Sequence, residues 1–170
     1  MLRSAALLLA LVTLAACDSG SAVNPPSPAD VAGTYAVATF TFEPDASRIP
    51  PADVTETLDL TGTTFQILDG GDVLFIYRLS GGAQRVIQGS VEVRRDEIRV
   101  TFDAASASAR TRLLLPEQLV FTRLTSALLG EADVTANLEA YDPDGYGTDG
   151  VFTAVPGTLT LRLTLQTATS

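Results

Sequence analysis

The side chains of this chain that could carry out chemistry are mostly carboxylates. Its 170 residues include 20 Asp and Glu and no His, and all eleven basic residues are Arg, so that Lys is absent. Without His, a Ser-His-Asp or Cys-His nucleophilic site is excluded; without Lys, Schiff-base chemistry and a P-loop are excluded. The remaining catalytic option is a pair of carboxylates that face a cleft, as in glycoside hydrolysis.

Four acids test that option: Glu97, Asp103, Asp133 and Glu139. Each stands at a polar position in a stretch where apolar and polar residues alternate, and the solvent-facing side of a strand accounts for such positions. We therefore expect no catalytic residues and predict that the protein is not an enzyme. The net charge of −9 also excludes nucleic acid as an expected partner.

One segment concentrates oxygen atoms of the kind that Ca²⁺ prefers. Asp142, Asp144 and Asp149 lie among glycines between Tyr141 and Gly150. The spacing resembles the Asp-x-Asp-x-Asp-Gly loops of calcium-binding proteins, although Tyr146 stands at the third Asp position. The same residue types are common in a long hairpin loop. We expect no cofactor, and the alternative is a Ca²⁺ site formed by these three aspartates.

The amino terminus has the pattern of a signal peptide. Arg3 provides a positive charge, an apolar run extends from Ala5 to Val12, and small residues precede Cys17. The 12 residues from Ala5 to Ala16 would form a helix of only ~18 Å, which is too short for a hydrocarbon core of ~30 Å. The segment is therefore predicted to be a cleaved signal and not a membrane span.

The end of this signal, Leu14-Ala15-Ala16-Cys17, resembles the lipobox of bacterial lipoproteins. The resemblance implies cleavage between Ala16 and Cys17 and a lipid attached to the sulfur of Cys17. Two or more acyl chains give stable membrane anchoring, whereas a single chain is marginal. We expect an extracytoplasmic protein of the bacterial cell envelope that is anchored to a membrane through Cys17. The alternative is a general secretory signal in which the Cys is incidental.

The sequence divides into three regions. Residues 1–16 are the predicted signal peptide, and residues 17–30 are the lipidated Cys followed by a flexible tether rich in Ser, Gly and Pro. Residues 31–170 are predicted to form one antiparallel β domain. The inner or outer membrane, the orientation and the protein partners do not follow from these patterns.

The elements of the predicted domain are strands in which apolar residues recur with a period of two. In the clearest case, residues 158–166, every odd position is Leu and every even position is polar. Turn residues separate the strands. The predicted strands are Gly33 to Phe42, Val54 to Leu60, Thr63 to Leu68, Val73 to Leu79, Gln84 to Arg94, Ile98 to Phe102, Leu119 to Leu124, Ala132 to Leu138 and Thr158 to Gln166.

Eight or nine short strands with hairpin-length links predict an all-β fold. We expect an antiparallel up-and-down β-barrel, because pairing between neighbouring strands leaves few edges exposed. The alternative is a β-sandwich. The prolines of residues 43–53 predict a longer loop, and Ala104 to Arg110 is predicted to be a mobile loop or one helical turn.

Two stretches of the domain resemble a known family. Gly33-Thr34-Tyr35 at the first strand and the hairpin from Gly89 to Phe102 are similar to the small lipocalin-like domains of bacterial lipoproteins. The resemblance implies a barrel that holds an apolar molecule.

The inward-facing residues give two interpretations of function. Side chains on the inner face could line a ligand cavity, or they could fill the barrel completely. The first interpretation predicts a binding protein for an apolar or amphipathic small molecule, and the second predicts a structural or interaction module of the envelope. We favour the first, with the cavity lined by Phe75, Tyr77, Val91, Val93, Val100, Phe102, Leu161 and Leu163.

Overall fold

The computed structural model describes residues 25–95 and 97–166. Strands account for about half of this part of the chain; four short helices and two 3₁₀ turns lie in the connections, and a third 3₁₀ turn precedes β1. The strands are β1 (Gly33–Pro44), β2 (Ala52–Asp53), β3 (Thr64–Ile67), β4 (Asp72–Arg78), β5 (Gln84–Arg94), β6 (Glu97–Phe102), β7 (Gln118–Arg123), β8 (Ala127–Ala136) and β9 (Val155–Leu165). The helices are α1 (Val54–Thr57), α2 (Ala107–Arg112), α3 (Leu138–Tyr141) and α4 (Pro143–Tyr146), and the 3₁₀ turns are Pro28–Asp30, Leu60–Gly62 and Ala104–Ser106.

The sheet closes into an antiparallel barrel. Each strand from β3 to β8 pairs with the next, β1 pairs with β3, and β1 also pairs with β9 to complete the ring. The pairing of β1 with β9 includes Tyr35 with Leu165 and Phe40 with Leu161. The up-and-down barrel of eight strands with one additional strand is therefore confirmed, and the β-sandwich is set aside.

Strand β1 has two neighbours, β3 and β2, along the edge opposite β9. A register shift between Val37 and Thr39 marks a β-bulge, which increases local twist. The residues of β1 that precede the bulge pair with β3, and residues that follow it pair with the short strand β2. Between these pairings the hydroxyl of Thr55 accepts from the Phe40 N–H at 2.7 Å and lies 3.3 Å from the Phe40 carbonyl. A side chain thus satisfies backbone groups that β3 does not reach.

Residues 54–60 were predicted as a strand, and this prediction is wrong. The segment forms helix α1, followed by the turn Leu60–Gly62. The Asp53 carboxylate accepts the Thr55 N–H at 2.9 Å and thereby caps the helix. Val54 and Leu58, four residues apart, are both buried.

The predicted strand from Ala132 to Leu138 is also corrected at both ends. Strand β8 begins earlier, at Ala127, and ends at Ala136. Asn137 then accepts the Ala140 N–H at 2.9 Å and caps helix α3, which contains Leu138. The weakly patterned segment 104–110 lies in a 3₁₀ turn and α2, so the helical alternative holds there.

The two ends of the barrel differ in their connections. At one end, named the helical end here, residues 45–63, 79–83, 103–117 and 137–154 join the strands and contain all four α-helices. At the other, the turn end, the short turns 68–71 and 124–126 lie beside the start of β1. No helix in the described part of the chain is both long and apolar enough to cross a membrane.

Buried apolar side chains occupy the interior between these ends. Phe75 is central: its ring centroid lies 6.4 Å from that of Phe40 and 5.8 Å from those of Phe65 and Tyr77. Residues 113–115, three consecutive leucines, are buried where the chain returns from α2 to β7. At the turn end Val31 is buried, and the Tyr35 hydroxyl donates to its carbonyl at 2.6 Å.

Candidate functional site

The residues predicted to line a cavity lie on the inner face of the barrel. Seven of the eight are buried: Phe75, Tyr77, Val91, Val100, Phe102, Leu161 and Leu163. The eighth, Val93, is partly buried and packs against the same core. These side chains meet one another and the aromatic cluster around Phe75, as close-packed protein interiors do.

Open clefts occur elsewhere on the described surface. Five of them are lined by residues other than the eight predicted cavity residues. The geometry thus favours the alternative in which side chains fill the barrel. These clefts are candidate small-molecule sites outside the lumen.

The largest of these five clefts, with a volume of about 560 Å³, lies at the helical end. We name it the helical-end cleft. It is formed where the connections after β1, β4, β6 and β8 meet, and a volume of this size is typical of small-molecule sites. Its lining residues are Glu56, Thr57, Leu79, Ser80, Arg112, Ala140, Tyr141 and Pro143.

Arg112 provides the positive charge of this cleft. It lies in the last turn of α2, is exposed, and forms no ion pair within residues 25–95 and 97–166. Leu79, Ala140 and Pro143 contribute apolar surface, and Glu56 contributes a negative charge on the same lining. The arrangement can therefore receive a molecule with an apolar body and one anionic group.

Two tyrosines connect the segments that form the helical-end cleft, and Tyr141 also lines the cleft. The Tyr141 hydroxyl donates to the Asp53 carbonyl at 3.0 Å, and the Tyr146 hydroxyl donates to the Pro50 carbonyl at 3.1 Å. These bonds join the β8–β9 connection to the β1–β3 connection. Burial raises the pKa of Tyr141 to about 12, so its hydroxyl is neutral at physiological pH.

The three predicted Ca²⁺ ligands have other contacts. Asp142 caps α4 by accepting the Gly145 N–H at 3.0 Å, and Asp149 accepts the Val151 N–H at 3.4 Å. Asp144 is exposed in the first turn of α4. Among the described residues, no three acidic or Cys side chains lie close enough to hold a metal ion. The structure does not bring Asp142, Asp144 and Asp149 together as such a group.

The four acids considered for catalysis lie in separate places. Glu139 accepts the Phe152 N–H at 2.7 Å and the Gly150 N–H at 3.1 Å, which stabilises the β8–β9 connection. Asp133 accepts the Thr158 hydroxyl across β8 and β9 at 3.2 Å, and Glu97 lies 3.8 Å from Arg99. Asp103 is exposed before the turn Ala104–Ser106.

Ala16 and Cys17, the predicted cleavage and lipidation residues, lie outside the described residues. Most of the predicted tether does so too, but its last residues, Pro28–Asp30, form a 3₁₀ turn. Pro28 packs beside Gly71 at the turn end, where an added Cβ would lie 3.3 Å from Pro28 Cγ. The chain therefore enters the barrel at the turn end.

Sequence reasoning did not find the helical-end cleft. Glu56, Leu79 and Arg112 belong to no motif, and each lies in a different connection. The nearest recognisable pattern in the sequence is the Asp-rich segment that begins at Tyr141, and its residue types predict a metal site and not a cleft for an amphipathic molecule.

Comparison with known proteins gives matches among solved structures. No protein-family model matches the sequence, and no curated protein matches it. The chain is similar in structure to a lipocalin-like protein from Bacteroides uniformis, with 13% identity, 80% of this chain and 99% of that chain covered, and a TM-score of 0.45. It is also similar to an uncharacterised protein from Bacteroides eggerthii, with 11% identity, coverage of 78% and 98%, and a TM-score of 0.36.

Proposed function

We propose that the protein is a lipid-anchored binding protein of the bacterial cell envelope, without catalytic activity, that takes up a small amphipathic molecule. The ligand site is the helical-end cleft and not the barrel interior. The observation that carries this proposal is the meeting of an apolar lining with Arg112, which forms no ion pair among the described residues, in a cleft of about 560 Å³. Neither part of the site needs a metal or a cofactor to bind such a molecule.

The expected ligand has one negative charge. The Arg112 guanidinium can bind a carboxylate or sulfonate, and the apolar lining can cover a hydrocarbon body. Glu56 on the same lining disfavours a multiply charged anion such as a phosphate ester.

Substitution of Arg112 tests the cleft. We expect Arg112→Gln to weaken binding of the amphipathic dye anilinonaphthalene sulfonate about fivefold, because an exposed ion pair contributes up to about 1 kcal/mol. Dye fluorescence during titration with the protein measures this affinity. A saturable signal with unchanged affinity in the variant would place the dye elsewhere.

Arg48→Gln is the matched control for this experiment. Arg48 is exposed, lies at the same end of the barrel and does not line the cleft. The control removes the same charge from an acidic protein, so a general electrostatic effect would weaken dye binding equally in both variants. Equal losses would contradict a specific role for Arg112.

The anchor part of the proposal rests on the sequence pattern at Cys17. This residue is the only Cys of the chain and follows the apolar run at the position where a lipobox requires it. Lipid attachment there would place the protein at a membrane through acyl chains.

Cys17→Ser tests the anchor. We expect the variant to accumulate as unprocessed precursor of the full 170 residues, because the thiol that forms the thioether is absent. Mass spectrometry of the wild type should show a chain that begins at Cys17 and carries acyl chains. Normal processing of the Ser variant would mean that the signal is a general secretory one.

The packing of buried apolar side chains in the interior favours a second candidate, a non-catalytic interaction module of the envelope. In that case the solid barrel would present its loops or its outer face to a partner. Absence of saturable dye binding by the wild type would support this candidate over the first.

A further inference from the structure

Three of the six exposed large apolar side chains of the described chain lie at the turn end. Leu68, Leu124 and Leu165 are 42%, 40% and 39% exposed. The other three are separate: Leu60 and Val151 lie in different connections of the helical end, and Val86 lies on the outer face of β5. Isolated exposed apolar residues need no explanation, but a group at one end of a barrel does.

The three leucines form one surface, named here the leucine rim. Leu124 and Leu165 line a shallow cleft together with Ala32, and Ala32 and Leu68 line the adjacent one. Backbone bonds hold the surface in place: the Leu165 N–H donates to the Ser126 carbonyl at 2.9 Å, and the Gly71 N–H donates to the Leu68 carbonyl at 2.9 Å.

The position of the amino-terminal segment identifies the occupant of this surface. The described chain begins at Pro25 and enters the barrel at the turn end. From Cys17 to Pro25 there are eight residue steps, which span at most about 29 Å. Acyl chains on Cys17 would therefore hold the turn end within about that distance of the bilayer.

We propose that the leucine rim rests on the lipid surface and that the helical-end cleft faces away from the membrane. This inference rests on the proposed lipid anchor. The contact is apolar and not electrostatic, because acids such as Asp69 and Glu92 accompany the arginines Arg94 and Arg123 at the turn end. The rim would then add a weak apolar contact to the stable acyl anchor, which holds it at high effective concentration beside the membrane.

Tryptophan placed in the rim tests this contact directly, because the chain contains no Trp. The lipidated full chain with Leu124→Trp is reconstituted in phosphatidylcholine vesicles whose lipids are brominated in the upper acyl chain. We expect its emission to shift to the blue and to be quenched at least about twofold, since interfacial apolar groups insert to that depth. The quenching should not change when salt is raised.

Val151→Trp is the matched control, because Val151 is 65% exposed at the helical end. We expect no quenching from that position. In the Leu124→Trp background, Leu68→Gln together with Leu165→Gln should reduce the quenching, and circular dichroism should show the same fold. Equal quenching at both positions, or none at Leu124→Trp, would overturn the proposal, as would sedimentation showing that the rim joins two copies of the chain.

The acyl anchor is judged separately by the mass of the purified protein. A lipidated chain whose Leu124→Trp variant is not quenched overturns the rim contact and leaves the anchor intact. A chain without acyl groups refutes the anchor. Because the rim inference rests on the anchor, that result overturns the rim contact as well.

Discussion

Phe75→Ala is expected to lower the free energy of unfolding by about 3–5 kcal/mol, the range found when a large aromatic side chain is removed from a core. The Phe75 side chain is fully buried, and its ring contacts those of Phe40, Phe65 and Tyr77. If the barrel interior is filled, the neighbours cannot collapse into the space that is left. Urea denaturation followed by far-ultraviolet circular dichroism measures the loss as a lower midpoint at unchanged slope.

Val86→Ala is the control for this prediction. Val86 lies on the adjacent strand β5, pairs with Ile76 and is 48% exposed. We expect Val86→Ala to lower the free energy of unfolding by less than about 1 kcal/mol, which is the full range of measured strand propensities. A Phe75→Ala loss as small as that of the control would mean that the interior has room, and it would return the ligand site to the lumen.

The barrel was predictable because each of its strands has one face exposed to solvent and one face buried. In β9 the buried residues Leu159, Leu161 and Leu163 alternate with polar ones, so that the period of two identifies both the strand and its inner face. Short turns between such strands favour pairing of neighbours, and closure follows when the last strand meets the first. Local pattern and global topology agree in these elements.

Helix α1 could not be recognised from the same pattern. Val54 and Leu58 fit the alternation of a strand, but their spacing of four also fits one face of a helix. The hydrogen bond that the Thr55 N–H donates to the Asp53 carboxylate caps the helix and so favours it over a strand. The prolines at 50 and 51, which precede β2, keep the preceding chain out of the sheet.

The helical-end cleft was beyond sequence reasoning for a different reason. Its walls come from connections that are far apart in the chain, so that Glu56 and Arg112 become neighbours only once the barrel has closed. Whether the lumen was empty was equally hidden, since lining and filling require the same apolar residues. The three leucines 113–115, which occupy the interior beside α2, lie in a connection and not in a predicted strand.

Gly157→Ala is expected to destabilise the protein by about 1–3 kcal/mol, the usual cost of adding atoms to a packed core. Gly157 lies in β9 at the closing seam, opposite Pro44 of β1 and Val134 of β8. A Cβ there would overlap the Glu43 carbonyl oxygen and lie 2.7 Å from the Phe42 ring. The neighbouring atoms belong to the backbone and to a buried ring, so neither can move aside without opening the seam.

The sign of the change in the free energy of unfolding distinguishes crowding of the added Cβ from an effect of strand propensity. In a strand with free space, replacing Gly by Ala should stabilise by roughly 0.5–1 kcal/mol, because the unfolded chain loses freedom. Gly70→Ala is the matched control, since nothing lies within 4 Å of an added Cβ at that turn position. We expect Gly70→Ala to change the urea midpoint little and Gly157→Ala to lower it clearly. Stabilisation by Gly157→Ala would mean that β1 and β9 are not so closely joined, and the closed ring itself would then be in question.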